Sequence, residues 1–305
     1  MDKILITGAN GLLGQKLVSL LANDSQYSVL ATARGACRFN LPNNTSYQSL
    51  DITDADACAA TISEFQPDAI FHAGAMTQVD ACEDERELCD SINIDGVANL
   101  IHAIGDAQIH FVHISTDFIF DGIADEYDEN SAAKPLSYYG LSKWKSEQLF
   151  QGVSFPYTIL RTVLVYGVLE DLSRSNIILW AKGALEKKQQ INVVDDQFRC
   201  PTLAEDLAWA CLASYRKKAT GIYNLSGKEF LSILELVKRV AQYWDLDASL
   251  IKSVKTADLN QKAQRPPKTN LCIDKAIRYL AYKPKSFNEG LALVDQQLKN
   301  LKPLQ

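Results

Sequence analysis

A chain of 305 residues, 47% of them hydrophobic, is long enough to bury the core of one large domain or two ordinary ones. Its formal charge of -6 offers no basic footprint for nucleic acid, and no apolar run reaches the roughly 18 residues that a membrane span needs. The opening MDKILITGANG is interrupted by glycine too early for a secretory leader, so a cytoplasmic protein is expected.

Along the first half, short β-branched runs alternate with helix-like stretches. The runs are KILIT (3–7), YSVLATA (27–33), DAIFHA (68–73), IHFVHIS (109–115) and YTILRT (157–162), and the stretches between them include LLGQKLVSLLA and DGVANLIHAIG. This alternation predicts repeated β-α units. The expected fold is therefore α/β and Rossmann-like, a doubly wound parallel sheet with right-handed crossovers and ligands at the carboxyl ends of its strands. After Tyr166 the rhythm changes to a polar loop and then mostly helix, which predicts a second, smaller, substrate-binding domain. Residues 1–168, with 199–225 returning, would form the dinucleotide-binding domain. Residues 169–198 and 226–305 would form the other, with a cleft between them.

Seven cysteines, at 37, 58, 82, 89, 200, 211 and 272, contain no C-x-x-C pair and read as reduced thiols. His110 and His113 stand three apart on a strand, hence on opposite faces, and cannot share a metal; no metal site is expected. In ILITGANGLLG, Gly8, Gly11 and Gly14 follow an apolar strand and open an apolar helix. Glycines there let backbone N–H groups approach a diphosphate, although a tight turn alone would also call for glycine. The second strand ends in LATARGACR, with no acid to meet a ribose 2'-hydroxyl. Arg34 stands where a 2'-phosphate would lie, with Thr32 and Arg38 as helpers, so NADP is the expected cofactor and NAD the alternative.

The stretch YYGLSKWKSE (138–147) places Tyr139 and Lys143 at i and i+4, on one face of a helix. A second Tyr-x-x-x-Lys, Tyr279 to Lys283, ends against Pro284 with nothing nearby to suggest a site. Spacing does not separate the two; context must. A phenol near its ordinary pKa of ~10 needs a stabilised anion to exchange protons at neutral pH, and a cation within ~4 to 6 Å would lower that pKa.

In order along the chain, TGxxGxxG at the start, HAGA at 72–75, Ser115-Thr116 at a strand end and the first Tyr-x-x-x-Lys resemble the extended short-chain dehydrogenase/reductase family. The resemblance implies that Tyr139 protonates a substrate carbonyl, that Lys143 supports it and holds the nicotinamide ribose, and that Thr116 orients the carbonyl. It also implies cofactor contacts from Gly8, Asn10, Gly11, Leu12, Leu13, Gly14, Arg34, Asp51, Ile52, Ala73, Gly74, Ala75 and Thr77. Within the family, TQVDACEDE (77–85), STDFIFDG (115–122), PLSYYGLSKWKSE (135–147), LRTVLVYG (160–167), DDQFRCPTLAEDLA (195–208) and AQRPPKTNL (263–271) resemble the dTDP-4-dehydrorhamnose reductase group. That group implies NAD(P)H-dependent reduction of a nucleotide-linked 4-keto-6-deoxysugar, and a homodimer as the candidate assembly. Substrate contacts would come from Val79, Asp80, Glu83, Asp117, Phe118, Asn176, Gln197 and Arg265, with Arg174, Lys182, Arg199 and Lys268 as secondary cations.

The chain departs from the group at Val163 and Leu164, where Ser and Trp are usual, and at Arg199, where glycine is usual. An epimerase or 4,6-dehydratase of the same fold is an alternative, disfavoured because Phe118 rather than an acid follows Asp117. A non-catalytic regulatory subunit, similar to the beta subunit of methionine adenosyltransferase, is another.

Overall fold

The computed structural model describes residues 1–22, 24–171 and 175–301. Six parallel strands, β1 (Asp2–Thr7), β2 (Tyr27–Ala33), β3 (Thr45–Ser49), β4 (Ala69–His72), β5 (His110–Thr116) and β6 (Tyr157–Thr162), are joined by a seventh, Gly221–Leu225. Their spatial order is Gly221–Leu225, β6, β5, β4, β1, β2, β3. The chain builds outward from β1 to β3, then crosses back to lay β4 on the other side of β1. That reversal puts the carboxyl ends of β1 and β4 side by side, at the switch point where an open α/β sheet takes its ligand.

Period-two alternation explains why both faces are covered. Ile4, Ile6, Ala69, Phe71 and Val112 point to one core, packed under helix α1 (Leu12–Ala22) and the helix Ala204–Arg216. Leu5, Ile70 and Phe111 point to the other, under α2 (Ala55–Phe65) and the helix Gly96–Ile104. His110 and His113 divide the same way: His110 meets Tyr215 on the first face and His113 meets Phe150 on the second. The strand β3 was not foreseen, because TSYQS is a polar edge strand with no residue fully buried.

A further core joins residues 166–203 to 231–294, while Ala276, Leu280 and Tyr282 pack into the first sheet core. Among the described residues no helix is long and apolar enough to cross a membrane. All seven cysteines are free.

Candidate active site

Two connected cavities open along the carboxyl edge of the sheet. The larger, about 500 Å³, runs from Leu12 and Leu13 past Thr116, Tyr139 and Lys143 to Asn176 and Arg265. The smaller, about 200 Å³, is bounded by Gly8, Asn10, Arg34, Arg38, Asp51 and Ile52. Gly11, Ala73, Gly74 and Ala75 line both. One extended ligand could therefore occupy the two together.

The glycine turn makes this join possible. Gly8 has φ +73, and a Cβ there would lie 2.5 Å from the backbone N of Gly74. Only glycine allows β1 and β4 to end so close beneath the N-terminus of α1, where unpaired N–H groups and the helix dipole favour an anion. Asn10 braces the rim: its amide donates to Ala36 O (2.9 Å), and its Oδ1 accepts from Arg38 N (2.9 Å). Arg34 and Arg38 are exposed at this rim, in place to meet a phosphate. Thr32 is not: it is buried and its hydroxyl donates to Ile6 O at 3.0 Å. Asp51 accepts from Thr53 N and Oγ1, and the Thr53 backbone bond leads in holding its carboxyl below the ordinary range. Gly14 lies within α1 and lines neither cavity.

Tyr139 and Lys143 sit on α3, the helix Tyr138–Gln148, capped by Ser137 Oγ accepting from Gly140 N. A Cβ at Gly140 would stand 2.2 Å from Phe118 O, so glycine lets the helix press onto the turn after β5. The ring of Phe118 meets Tyr139 edge-on with centroids 5.8 Å apart, and Thr116 stands beside the phenol. Thr116 Oγ1 also accepts from Phe118 N and donates to Asp117 Oδ1, both at 3.2 Å, so it caps the turn as well as facing the cavity. Lys143 is buried with its Nζ 3.3 Å from His113 Nε2.

The electrostatics correct one expectation. The Tyr139 phenol is pushed up rather than down, by burial first and by Asp117, with the Thr116 hydroxyl opposing. Lys143 is the group lowered, to about 8, by burial, with Glu147 holding it up. Tyr139 is thus protonated at neutral pH, and Lys143 remains charged.

The anticipated substrate residues divide into two sets. Val79, Asp117, Phe118, Asn176 and Arg265 line the larger cavity, whereas Asp80, Glu83 and Gln197 line neither. Asp80 holds Arg265 in a two-pronged pair (2.9 and 3.1 Å). Glu83 accepts from Tyr138 N (2.7 Å) and pairs with Arg86 (2.9 Å), anchoring the start of α3. Gln197 donates to Thr256 Oγ1. The Asn176 side chain caps the helix Ile177–Glu186 and donates to Gly167 O (2.7 Å).

The secondary cations also resolve. Arg199 is a buried brace rather than a solvated charge, donating to the carbonyls of Phe198, Pro266 and Pro267 with Asp117 at 3.6 Å. Lys182 pairs with Glu186, Lys268 is exposed, and Arg174 lies outside the described residues. Val163 is in a core with Phe120 and Tyr127, while Leu164, at φ +40, lines the cavity.

Sequence reasoning preferred Thr116 to its neighbour Ser115, which also lines the larger cavity and whose buried hydroxyl has no protein partner, and it gave no role to the imidazoles of His72 and His113 around Lys143. A hydroxyl beside Thr116 was visible in the sequence; its orientation was not.

Comparison with known proteins identifies the chain's relatives. Residues 1–300 match the family model described as RmlD substrate binding domain. The chain is 30% identical over 303 residues to a dTDP-4-dehydrorhamnose reductase of Aggregatibacter actinomycetemcomitans, covering 95% of this chain and 97% of the relative. It is 28% identical over 257 residues to methionine adenosyltransferase 2 subunit beta of Xenopus laevis, covering 83% and 75%. Among solved structures, a dTDP-4-dehydrorhamnose reductase of Bacillus anthracis in complex with NADP superposes with a TM-score of 0.82 at 27% identity, over 97% of this chain and 100% of that one. With a family model matched almost from end to end and a reductase relative aligned over nearly all of both chains, the protein belongs to the RmlD substrate binding domain family of extended short-chain dehydrogenase/reductase folds.

Proposed function

We propose that the protein is an NADPH-dependent reductase of a nucleotide-linked 4-keto-6-deoxysugar, with Tyr139 as proton donor. The observation that carries this reading is the convergence of Thr116, Tyr139 and Lys143 on one cavity that continues, past Gly74 and Ala75, into the Arg34-lined recess. The cradle suits a dinucleotide: glycine where a Cβ would collide, a helix N-terminus for the diphosphate, and two exposed arginines where a 2'-phosphate would lie. A bound nicotinamide would supply the hydride.

The remaining work falls to the chain's own side chains. Tyr139 holds a proton above the substrate carbonyl oxygen and delivers it as that oxygen gains charge. The Lys143 ammonium stabilises the phenolate left behind. The Thr116 hydroxyl, whose proton is directed at Asp117 Oδ1 here, would turn that proton to the carbonyl and orient it, and Arg265, steadied by Asp80, faces the anionic end of the sugar nucleotide. Residues 1–168 with 199–225 would form the cofactor-binding part and the rest the substrate-binding part.

The test is NADPH oxidation across a panel of keto-sugar nucleotides. Stoichiometric oxidation with a 4-keto-6-deoxyhexose conjugate supports the assignment; turnover only through tightly held, recycled cofactor would favour an epimerase. The likeness to the methionine adenosyltransferase subunit keeps one further reading, a regulatory partner. No oxidation with any member of the panel, together with stoichiometric capture of a methionine adenosyltransferase, would select it.

A further inference from the structure

Behind Lys143 lies a set of buried groups that the proposed chemistry does not use. Lys143 and His113 are 3% and 0% exposed, and Nζ stands 3.3 Å from Nε2. The His113 ring is stacked on His72 (centroids 5.4 Å apart, planes 10° apart) and packed on Phe150 at 5.3 Å. His72 is itself held by Thr7, 2.6 Å from its Nδ1. Four elements, β1, β4, β5 and α3, therefore fix where the His113 nitrogen sits.

Donor and acceptor counting fixes the tautomer. An ammonium has only donors, so Nε2 must accept from Lys143, and the proton of a neutral His113 ring must sit on Nδ1, a buried atom with no protein partner, at a cost that the contact with the Lys143 charge has to outweigh. Ser146 Oγ, 3.0 Å from the same Nε2, already donates to Lys143 O at 2.7 Å and cannot also donate to the ring. With Lys143 uncharged, the ring is free to carry its proton on Nε2 and donate to Ser146 Oγ instead. The His113 tautomer and the charge of Lys143 are thus tied together.

The surrounding charges give the arrangement a purpose. The titratable groups coupled to Lys143 are Glu147 on α3, His113 on β5, His72 on β4, and Cys89 from the short helix Arg86–Asp90, with Tyr139 one turn back on α3. Glu147 is already matched by Arg161, its carboxylate oxygens 3.0 and 2.7 Å from Nε and Nη2. A carboxylate in place of His113 would satisfy the ammonium but cancel its field at the phenol; a neutral imidazole satisfies it without cancelling.

We propose that His113 is a positioning residue for Lys143: an uncharged imidazole that accepts one ammonium hydrogen bond, fixes Nζ at the cavity wall and leaves its positive charge unopposed toward Tyr139. This rests on the role given to Lys143 above. Burial, aided by the Lys143 charge, keeps His113 well below the ordinary imidazole value, so it stays neutral in the working range.

The first test needs no turnover. In ¹⁵N-histidine-labelled protein, the His113 signals should report the Nδ1–H tautomer at about pH 7 in the wild type, and Nε2–H in Lys143→Met. The wild type should switch as pH rises past about 8, where Lys143 loses its charge. The same tautomer in wild type and Lys143→Met would overturn the proposal. The second test is NADPH titration by fluorescence. His113→Leu should weaken binding on the order of tenfold at about pH 7 and move the alkaline loss of binding to lower pH, with His113→Gln recovering most of both. Unchanged affinity and pH profile in the Leu variant would also overturn it; should that variant not fold, the Gln variant and the tautomer decide. The two levels separate cleanly. Lys143→Met binding NADPH like the wild type would refute the role of Lys143 at the cofactor, while the tautomer switch would still establish the His113 contact.

Discussion

Replacing Lys143 with Met should make the protein more stable while disabling it. The lysine falls from its ordinary 10.5 to about 8 because burial penalises the ammonium, and each unit is worth ~1.36 kcal/mol, so the buried charge costs about 3 kcal/mol at neutral pH. Losing the hydrogen bond to His113 takes back about 1 kcal/mol, leaving a net gain of about 2 kcal/mol. With ~2.1 cal/mol/K of unfolding entropy per residue over 305 residues, that is about 3 °C in Tm. The pH dependence has a definite sign. Below about 8 both folded and unfolded chains hold the proton and the full cost is present. Between about 8 and 10.5 the folded chain releases it while the unfolded chain keeps it, so this contribution raises stability with pH. Thermal melts of wild type and variant across this range should show a difference that is largest near neutrality and shrinks toward pH 10.5. A Met variant that melts at or below the wild type near neutrality would refute the reasoning.

Other consequences follow from the same geometry. Glu147→Gln leaves the buried Arg161 guanidinium without its matching charge, and should cost about 3 to 5 kcal/mol, read as a fall in Tm by circular dichroism. It should also push Lys143 further down, since Glu147 holds it up, and bring the alkaline limb of NADPH binding to lower pH. A drop in Tm under ~2 °C would show that the pair is dispensable. Arg34→Ala should raise the Michaelis constant for NADPH far more than for NADH; equal effects would show that no 2'-phosphate sits at that rim.

The parts of the fold that could be read in advance are those written in local pattern. Alternating apolar runs announced the parallel sheet, and three glycines after the first run announced the switch-point turn, because such turns tolerate no side chain at Gly8. The helix carrying Tyr139 and Lys143 was legible from i, i+4 spacing, yet Tyr279 and Lys283 share that spacing. There the backbone forms a π-helical turn, Ala276–Leu280, that ends before Lys283 and leaves Tyr279 exposed.

What stayed hidden depends on partners far apart in sequence. Arg265 is held by Asp80 across 185 positions, and Lys143 by His113 across 30. The expectation that Lys143 would lower the Tyr139 phenol counted one charge and ignored burial, which is the larger effect here. Glu83 and Asn176 were named from the resemblance to the reductase group, and both are engaged with backbone at helix starts. Polar type alone does not distinguish a ligand from a cap.

The most direct measurement is the rate of NADPH oxidation, followed by absorbance, with a nucleotide-linked 4-keto-6-deoxyhexose, for wild type beside Tyr139→Phe. The account predicts turnover in the wild type and a loss of roughly 10² to 10⁴ in the Phe variant, with NADPH affinity nearly unchanged. Equal turnover in the two proteins would contradict it.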